Sequence, residues 1–254
     1  ATFDSTNNKV VIAYSDVGNS NYGTAVVGTV SGTSISFGSP VIFLAYSAQG
    51  SIAITYDSNA QKVVVIYQDS NNGYYGAAKV GTVSGTSISF GSAGVFAQIN
   101  TAYSAVFDSN SNKVVVAYQD ASNSSYGTVI VGTVSGTSIS FGSSTIFESA
   151  NTSYTSATYD STNSKVVIAY ADAAPDGKAV VFQNASSNNT DFIGITDQAI
   201  ADTATGAVIV QGGVSDKVTG LTANTDYYVQ SDGTISATVS SVPAGRALST
   251  TSIL

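Results

Sequence analysis

Asp108-Ser109-Asn110-Ser111-Asn112-Lys113-Val114-Val115-Val116-Ala117-Tyr118 is a polar turn running into an apolar strand, and the chain spells this phrase four times. Asp4, Asp57, Asp108 and Asp160 open the copies, at intervals of 53, 51 and 52 residues. Asx and Ser side chains bond to their own backbone and so favour turns. Lys-Val-Val-Val-Ala-Tyr has the length and β-branched content of a strand covered on both faces. A second phrase, VGTVSGTSISFGS, occupies 27–39, 80–92 and 131–143.

Working outward through the third copy, Tyr103–Phe107 reads as a first strand and Lys113–Tyr118 as the second. A polar turn over Asp120–Ser125 leads to a third strand, Tyr126–Val134. Ser135-Gly136 turns tightly into Thr137–Phe141, which alternates as a fourth. Four short antiparallel strands in about 50 residues is the period of a propeller blade. A blade cannot bury both faces alone, so each must stack on its neighbours.

The expected fold is therefore all-β: a β-propeller-like array of ~52-residue four-stranded repeats followed by a small β module. The repeat domain spans 1–183, with copies at about 1–46, 47–99, 100–150 and 151–183. The fourth copy has strands at 154–159, 165–170 and 178–182 but no VGTVSGTSISFGS equivalent, which gives fifteen strands in all. A closed ring of four needs a final strand from elsewhere. An open β-solenoid, a pair of sandwiches, and an arc completed by another chain are the alternatives. Ala1-Thr2-Phe3-Asp4 matches Ala105-Val106-Phe107-Asp108, so the sequence opens inside a repeat and more repeat sequence is expected upstream.

Composition excludes several classes of function. Net charge is −8, from 16 acidic against 8 basic residues, which is the wrong sign for nucleic acid. The chain has neither Cys nor His, so it has no thiolate nucleophile, no imidazole base and no ordinary zinc site. No run of about 18 apolar residues occurs, so membrane insertion by a helix is not expected. Apolar residues make up 43 % with 15 Tyr and 10 Phe, which marks a folded chain.

The single residues of the repeat point to structure first. Lys9, Lys62, Lys113 and Lys165 are expected to lie loosely against the Asp five residues earlier while covering apolar surface. Asp16, Asp69, Asp120 and Asp172 recur after the second strand, but their turns lack the dense carboxylates of a calcium loop. Asx turns are the expectation for both acidic series, with no metal and no cofactor. Tyr14, Tyr67, Tyr118 and Tyr170 close the second strands as core-rim aromatics. Glycosidase chemistry needs two carboxylates across a cleft, and the acids here repeat almost equally in every copy. Glu148, the only glutamate, reads as a solitary surface residue. No catalytic residue is expected.

A contact surface for glycan or receptor falls instead on the loops Gly18–Tyr22, Ser70–Tyr75 and Ser122–Tyr126. Its candidate residues are Tyr22, Tyr74, Tyr75, Tyr126, Asn72 and Asn123. Tyr74 and Tyr75 are adjacent, so in a regular strand one of them must face outward.

From residue 184 the pattern changes. Residues 184–190 form a polar linker, and 191–254 read as a Gly-punctuated β module with a hairpin turn at Ser231-Asp232-Gly233. The stretch Asp197–Thr205 reads as a short helical turn or a loop. A module of about 65 residues is marginal alone, so association is physically sensible.

Phe192-Ile193-Gly194-Ile195, Gly220-Leu221-Thr222, Tyr227-Tyr228-Val229, Asp232-Gly233-Thr234 and Gly245-Arg246-Ala247-Leu248-Ser249 carry a resemblance. Over 191–254 the chain resembles a module near the C-termini of bacteriophage virion proteins, namely tail fibres and decoration proteins, especially of aquatic phages. The resemblance implies a β-rich connector that ends a fibre, often in trimers. It carries no catalytic residue with it.

The expected function is thus a phage structural surface protein, part of a tail or surface fibre, that displays its repeat domain for host-surface or glycan attachment. Its expected partners are copies of itself, other virion proteins and a host-surface glycan, at the virion surface. The alternative is a bacterial cell-surface adhesin or extracellular filament protein. A polysaccharide-degrading enzyme ranks third, since it would need an asymmetric carboxylate pair.

Overall fold

The computed structural model describes residues 1–174, 176–184, 195–196, 208–209, 221–229, 235–237, 243–246 and 253. The chain divides into two compact units, 1–184 and 185–254. The described residues are almost entirely antiparallel β structure.

Unit 1 contains four sheets. The first comprises β1 (Thr2–Asp4), β2 (Lys9–Asp16), β3 (Tyr22–Ser31), β4 (Ser34–Phe37) and the opening of β5 (Val41–Asp57). The rest of β5, β6 (Lys62–Asp69), β7 (Tyr75–Ser84), β8 (Ser87–Phe90) and the opening of β9 (Gly94–Asp108) make the second. The third holds the rest of β9, β10 (Lys113–Asp120), β11 (Tyr126–Ser135), β12 (Ser138–Phe141) and β13 (Thr145–Asn151). Among the described residues the fourth has β14 (Ser153–Asp160), β15 (Lys165–Ala171) and β16 (Gly177–Phe182).

The outer strand of each complete sheet is divided. In the first, β4 pairs the end of β3 from Gly28↔Phe37 to Ser31↔Ser34, while β5 pairs its start from Tyr22↔Ser47 to Ala25↔Val41. β5 then crosses to the second sheet, with a register shift between Gln49 and Ala53 and Gly50 at φ +79°. β9 makes the equivalent crossing. The repeat boundaries expected at 46/47 and 99/100 therefore fall inside continuous strands. The outer-strand segments of β5, β9 and β13 are the part that the fifteen-strand expectation lacked, because they do not recur in wording.

The turn opening each repeat folds as its sequence dictates. Asp4 accepts from the backbone N–H of Thr6 and Asn7, and Asp57, Asp108 and Asp160 repeat this pair of bonds. The residue before the lysine turns left-handed: Asn8, Gln61, Asn112 and Ser164 have φ of 54°, 57°, 54° and 54°. The lysines behave differently from the sequence expectation. Lys9 and Lys113 donate to Thr29 Oγ1 and Thr133 Oγ1 on the adjacent strand, at 2.8 and 2.9 Å. Among the described residues of unit 1, Lys178 alone forms ion pairs. Strand geometry explains this: in β2 and β10 the lysine lies beside the third strand, and a hydroxyl there is nearer than a carboxylate already bonded to its own turn.

Successive strand residues point to opposite faces, and both faces of the middle sheets are covered. Val11, Ala25 and Val27 of the first sheet pack on Tyr56, Val63, Val65, Tyr67, Val83 and Ile88 of the second. Val64, Ile66, Ala78 and Val80 pack on Phe107, Val114, Val116, Tyr118 and Ile139 of the third. Val115, Ala117 and Val129 pack on Val166, Ile168 and Tyr170 of the fourth. At each of the three interfaces a near face that includes tyrosine, turned to the preceding sheet, meets a far face made mainly of Val and Ala, with Ile66 in the second sheet. Burial is why Tyr67 and Tyr118 resist ionisation, with the Tyr118 phenol pushed up to about 12.

Backbones also approach closely between sheets. A Cβ on Gly38 would collide with the carbonyl of Thr86, and one on Gly91 with that of Thr137. At Gly142, the third member of the series, no neighbouring sheet among the described residues comes within 4 Å, and the fourth copy has no VGTVSGTSISFGS equivalent in its sequence.

Unit 2 pairs β17 (Ile195–Thr196) with β18 (Val208–Ile209) and β19 (Asp226–Val229) with β20 (Ile235–Ser236) and β21 (Pro243–Arg246). Leu221, Tyr227 and Ile253 are buried together, and Tyr227 Oη accepts from Thr222 N–H at 2.9 Å. Asn224 turns left-handed at φ 64°. The helical turn or loop at Asp197–Thr205 and the hairpin turn at Ser231-Asp232-Gly233 lie outside the described residues, as does the linker beyond Asn184. No helix among the described residues is long and apolar enough to cross a membrane.

Candidate functional site

The loops singled out from sequence lie at one end of the sheets, where the second strand turns into the third. The same end receives the crossings of β5 and β9 and the passage from β13 to β14. Ala48 N–H bonds to Asn21 C=O, Ile99 N–H to Tyr74 C=O, and Thr152 N–H to Ser125 C=O, at 2.8, 3.2 and 3.0 Å. The first three turns at this rim are thereby each pinned to the strand passing them.

Each turn starts with an Asx cap. Asp16, Asp69, Asp120 and Asp172 accept from the N–H of Gly18, Asn71, Ser122 and Ala174. In the first three turns two left-handed residues follow: Ser20 and Asn21, Gly73 and Tyr74, Ser124 and Ser125. Asn and Gly suit this conformation, whereas a serine or a tyrosine there carries a steric cost of about 1–2 kcal/mol. Tyr74 is held there by its N–H to Asp69 C=O and by the Ile99 N–H to its own C=O, and the residue is 53 % exposed.

The six sequence candidates occupy three separate turns. Asn72, Tyr74 and Tyr75 share the turn of the second sheet, and all three are exposed. Tyr22 lies on the first sheet's turn and is half-buried. Asn123 and Tyr126 lie on the third, where Tyr126 N–H bonds to Asn123 C=O at 3.0 Å and both are half-buried.

Two exposed tyrosines of the same rim were not legible as candidates. Tyr46 lies where β5 carries two residues more than β9 between matching points, Val41↔Ala25 to Ser47↔Tyr22 against Gly94↔Ala78 to Gln98↔Tyr75. Tyr154 follows Thr152 in the passage into β14, has φ 51°, and is 85 % exposed. Both sit where the copies differ in length, and that irregularity is the signal that could have found them. Tyr46, Tyr74, Tyr75 and Tyr154 are the exposed tyrosines among the described residues, and all four lie at this rim.

The rim also holds one polar cluster without a counterpart in the other copies. Tyr170 Oη donates to Glu148 Oε2 at 2.9 Å, and Lys178 Nζ lies 2.6 Å from Asp172 and 3.5 Å from Glu148. Glu148 is therefore not solitary. It takes the place held by Leu44 in the first sheet, and Lys178 that of Thr24. Lys178 holds the Asp172 carboxyl below its usual range, and Asp172 in turn raises Lys178. Desolvation, then the bond to Glu148, raises Tyr170. The cluster joins β13 to β15 and β16, with one lysine shared by two carboxylates. Among the described residues no three metal-ligating side chains converge.

Comparison with protein-family models and with curated proteins finds no match to this chain.

Proposed function

We propose that this protein is a non-enzymatic surface protein of a bacteriophage virion, part of a tail or surface fibre, whose propeller-like repeat array attaches to a host-surface glycan. The observation that carries the attachment reading is the gathering of Tyr46, Tyr74, Tyr75 and Tyr154 at one rim, two of them at positive φ. A tyrosine kept at a strained, exposed turn position supports a functional reading. An exposed aromatic face with amide neighbours such as Asn71, Asn72 and Gln98 suits the flat apolar face and hydroxyl fringe of a sugar. Repetition of weak sites along an array strengthens attachment by avidity. The virion assignment is supported by the C-terminal sequence resemblance, and copies of itself and other virion proteins are the partners it implies.

The test is a glycan array probed with the full chain, followed by titration of the best ligand against Tyr74→Ala/Tyr154→Ala. Binding should fall by roughly tenfold or more in the double variant, and the ligand should be recovered intact with no new reducing ends. Undiminished binding by the variant would remove the rim as the contact surface. Release of reducing ends would establish an enzyme instead.

A further inference from the structure

We propose that the rim is selective within the glycan class, taking neutral polysaccharide and rejecting chains that carry uronate, sialate or phosphate groups. This inference rests on the attachment reading and names the ligand class of the same surface. The two ends of the sheets differ in charge. At the end opposite the rim, Asp4, Asp57, Asp108 and Asp160 each stand across from a lysine, in the pairs Asp4↔Lys9, Asp57↔Lys62, Asp108↔Lys113 and Asp160↔Lys165. At the rim, Asp16, Asp69, Asp120, Asp172, Asp176 and Glu148 share one cation among the described residues, Lys178. The remaining lysine of unit 1, Lys79, lies in the middle of β7 and donates to Phe43 C=O at 2.7 Å.

The rim carboxylates stand beside the exposed tyrosines. Asp69 pairs across the strands with Tyr75 on one side and with Ala48, two residues from Tyr46, on the other. Ser70 Oγ donates to Ser47 C=O at 3.1 Å, which fixes β5 against the same turn. Tyr154 follows Ser153, the partner of Ala171, and the residue after Ala171 is Asp172. Hydrogen bonding also separates the two ends. In Asp4, Asp108 and Asp160 one carboxylate oxygen holds the N–H groups of the turn, and the other takes a side-chain donor from the same turn. In Asp16 and Asp69 Oδ1 caps the turn, and no described residue donates to Oδ2. A carboxylate oxygen open beside an exposed aromatic ring accepts from a sugar hydroxyl, and a bond to an ionised acceptor is stronger than one between neutral groups. The same charge repels an acidic sugar, because juxtaposed like charges suppress the wrong partner.

A glycan array probed with the full chain tests it, with neutral polysaccharides set beside uronate-, sialate- and phosphate-bearing ones. The strongest binders should be neutral, and their affinity should change less than about twofold between roughly 0.05 and 0.5 M NaCl. Asparagine caps a turn as well as aspartate does, so circular dichroism should show Asp16→Asn/Asp69→Asn folded as the parent. This variant should bind the best neutral polysaccharide roughly fivefold more weakly. Its discrimination against the acidic polysaccharides should shrink as well, a change that a merely structural loss would not give. Acidic polysaccharides as the strongest binders, an affinity that collapses in salt, or a variant with unaltered affinity and selectivity would each overturn the proposal while leaving attachment at the rim in place. A blank array would instead remove the attachment reading, and this inference with it.

Discussion

Residues 27–39 and 80–92 have the same sequence, yet Ile35 in the first segment is exposed and Ile88 in the second is buried. Both form the third-to-fourth strand hairpin of their sheets with the same register, Val30↔Ile35 and Val83↔Ile88. The local chain thus fixes the hairpin, and only the presence of a preceding sheet fixes what the hairpin buries. Identical words have different energetic weight at different places in a stack, as a nearest-neighbour repeat requires.

The largest effect expected from this difference is at the isoleucines themselves. Ile88→Ala should cost about 3 kcal/mol by leaving a cavity between the first and second sheets. Ile35→Ala should cost about 1 kcal/mol or less. Urea unfolding of the two variants under conditions where the chain is monomeric measures the gap, and equal losses would mean that both faces are covered.

The glycines sharpen the same contrast. Gly91→Ala places a Cβ against the Thr137 carbonyl and should cost about 2 kcal/mol. Gly142→Ala meets no neighbouring sheet and should change stability by about 0.5 kcal/mol at most. Thermal melts of the pair give the comparison.

Much of this architecture was legible in the sequence, and the reason is local. Lys113–Tyr118 is a β-branched run between Asx-rich ends, and β10 follows it within two residues. The Asp caps were legible because the carboxylate reaches its own turn. The crossings of β5 and β9 were not, since their wording varies and their pairing depends on strands far along the chain. Tyr46 and Tyr154 were lost with them. The open near face was illegible in principle, because its residues match the buried copies.

The rim offers a smaller effect of opposite sign. Tyr74→Asn replaces a strained tyrosine with the residue that Asn21 supplies in the first turn. It should stabilise the chain by about 1 kcal/mol while weakening glycan attachment. Melting and titration on one preparation would separate strain from binding, and a destabilised variant would show that the ring packs rather than projects.

The smallest effect concerns the caps. Asn7, Ser111 and Asn163 each donate a side-chain bond to the second oxygen of their Asp, at 2.8, 2.7 and 2.7 Å. In the second copy Ala60 offers no such donor. Burial accordingly raises Asp57, whereas the Asn163 side chain lowers Asp160. A raised carboxyl favours the folded state below the unfolded pKa of about 3.9, and that contribution is lost as pH rises through the folded value. Asp160 has the opposite sign: its contribution is present above about 3.9 and is lost as pH falls through its depressed folded value. Ala60→Asn should bring Asp57 down and add about 0.5 kcal/mol at neutral pH. Carboxyl NMR titration reads the shift, and an unmoved Asp57 would refute the cap argument.

Hydroxyl-radical footprinting of the chain in dilute solution tests the central claim most directly. The account predicts that Phe3 and Phe37 on the first sheet are oxidised several-fold faster than Phe43 and Phe107, which lie between sheets. Equal protection of all four would contradict it, because the first sheet's near face would then be covered within the single chain.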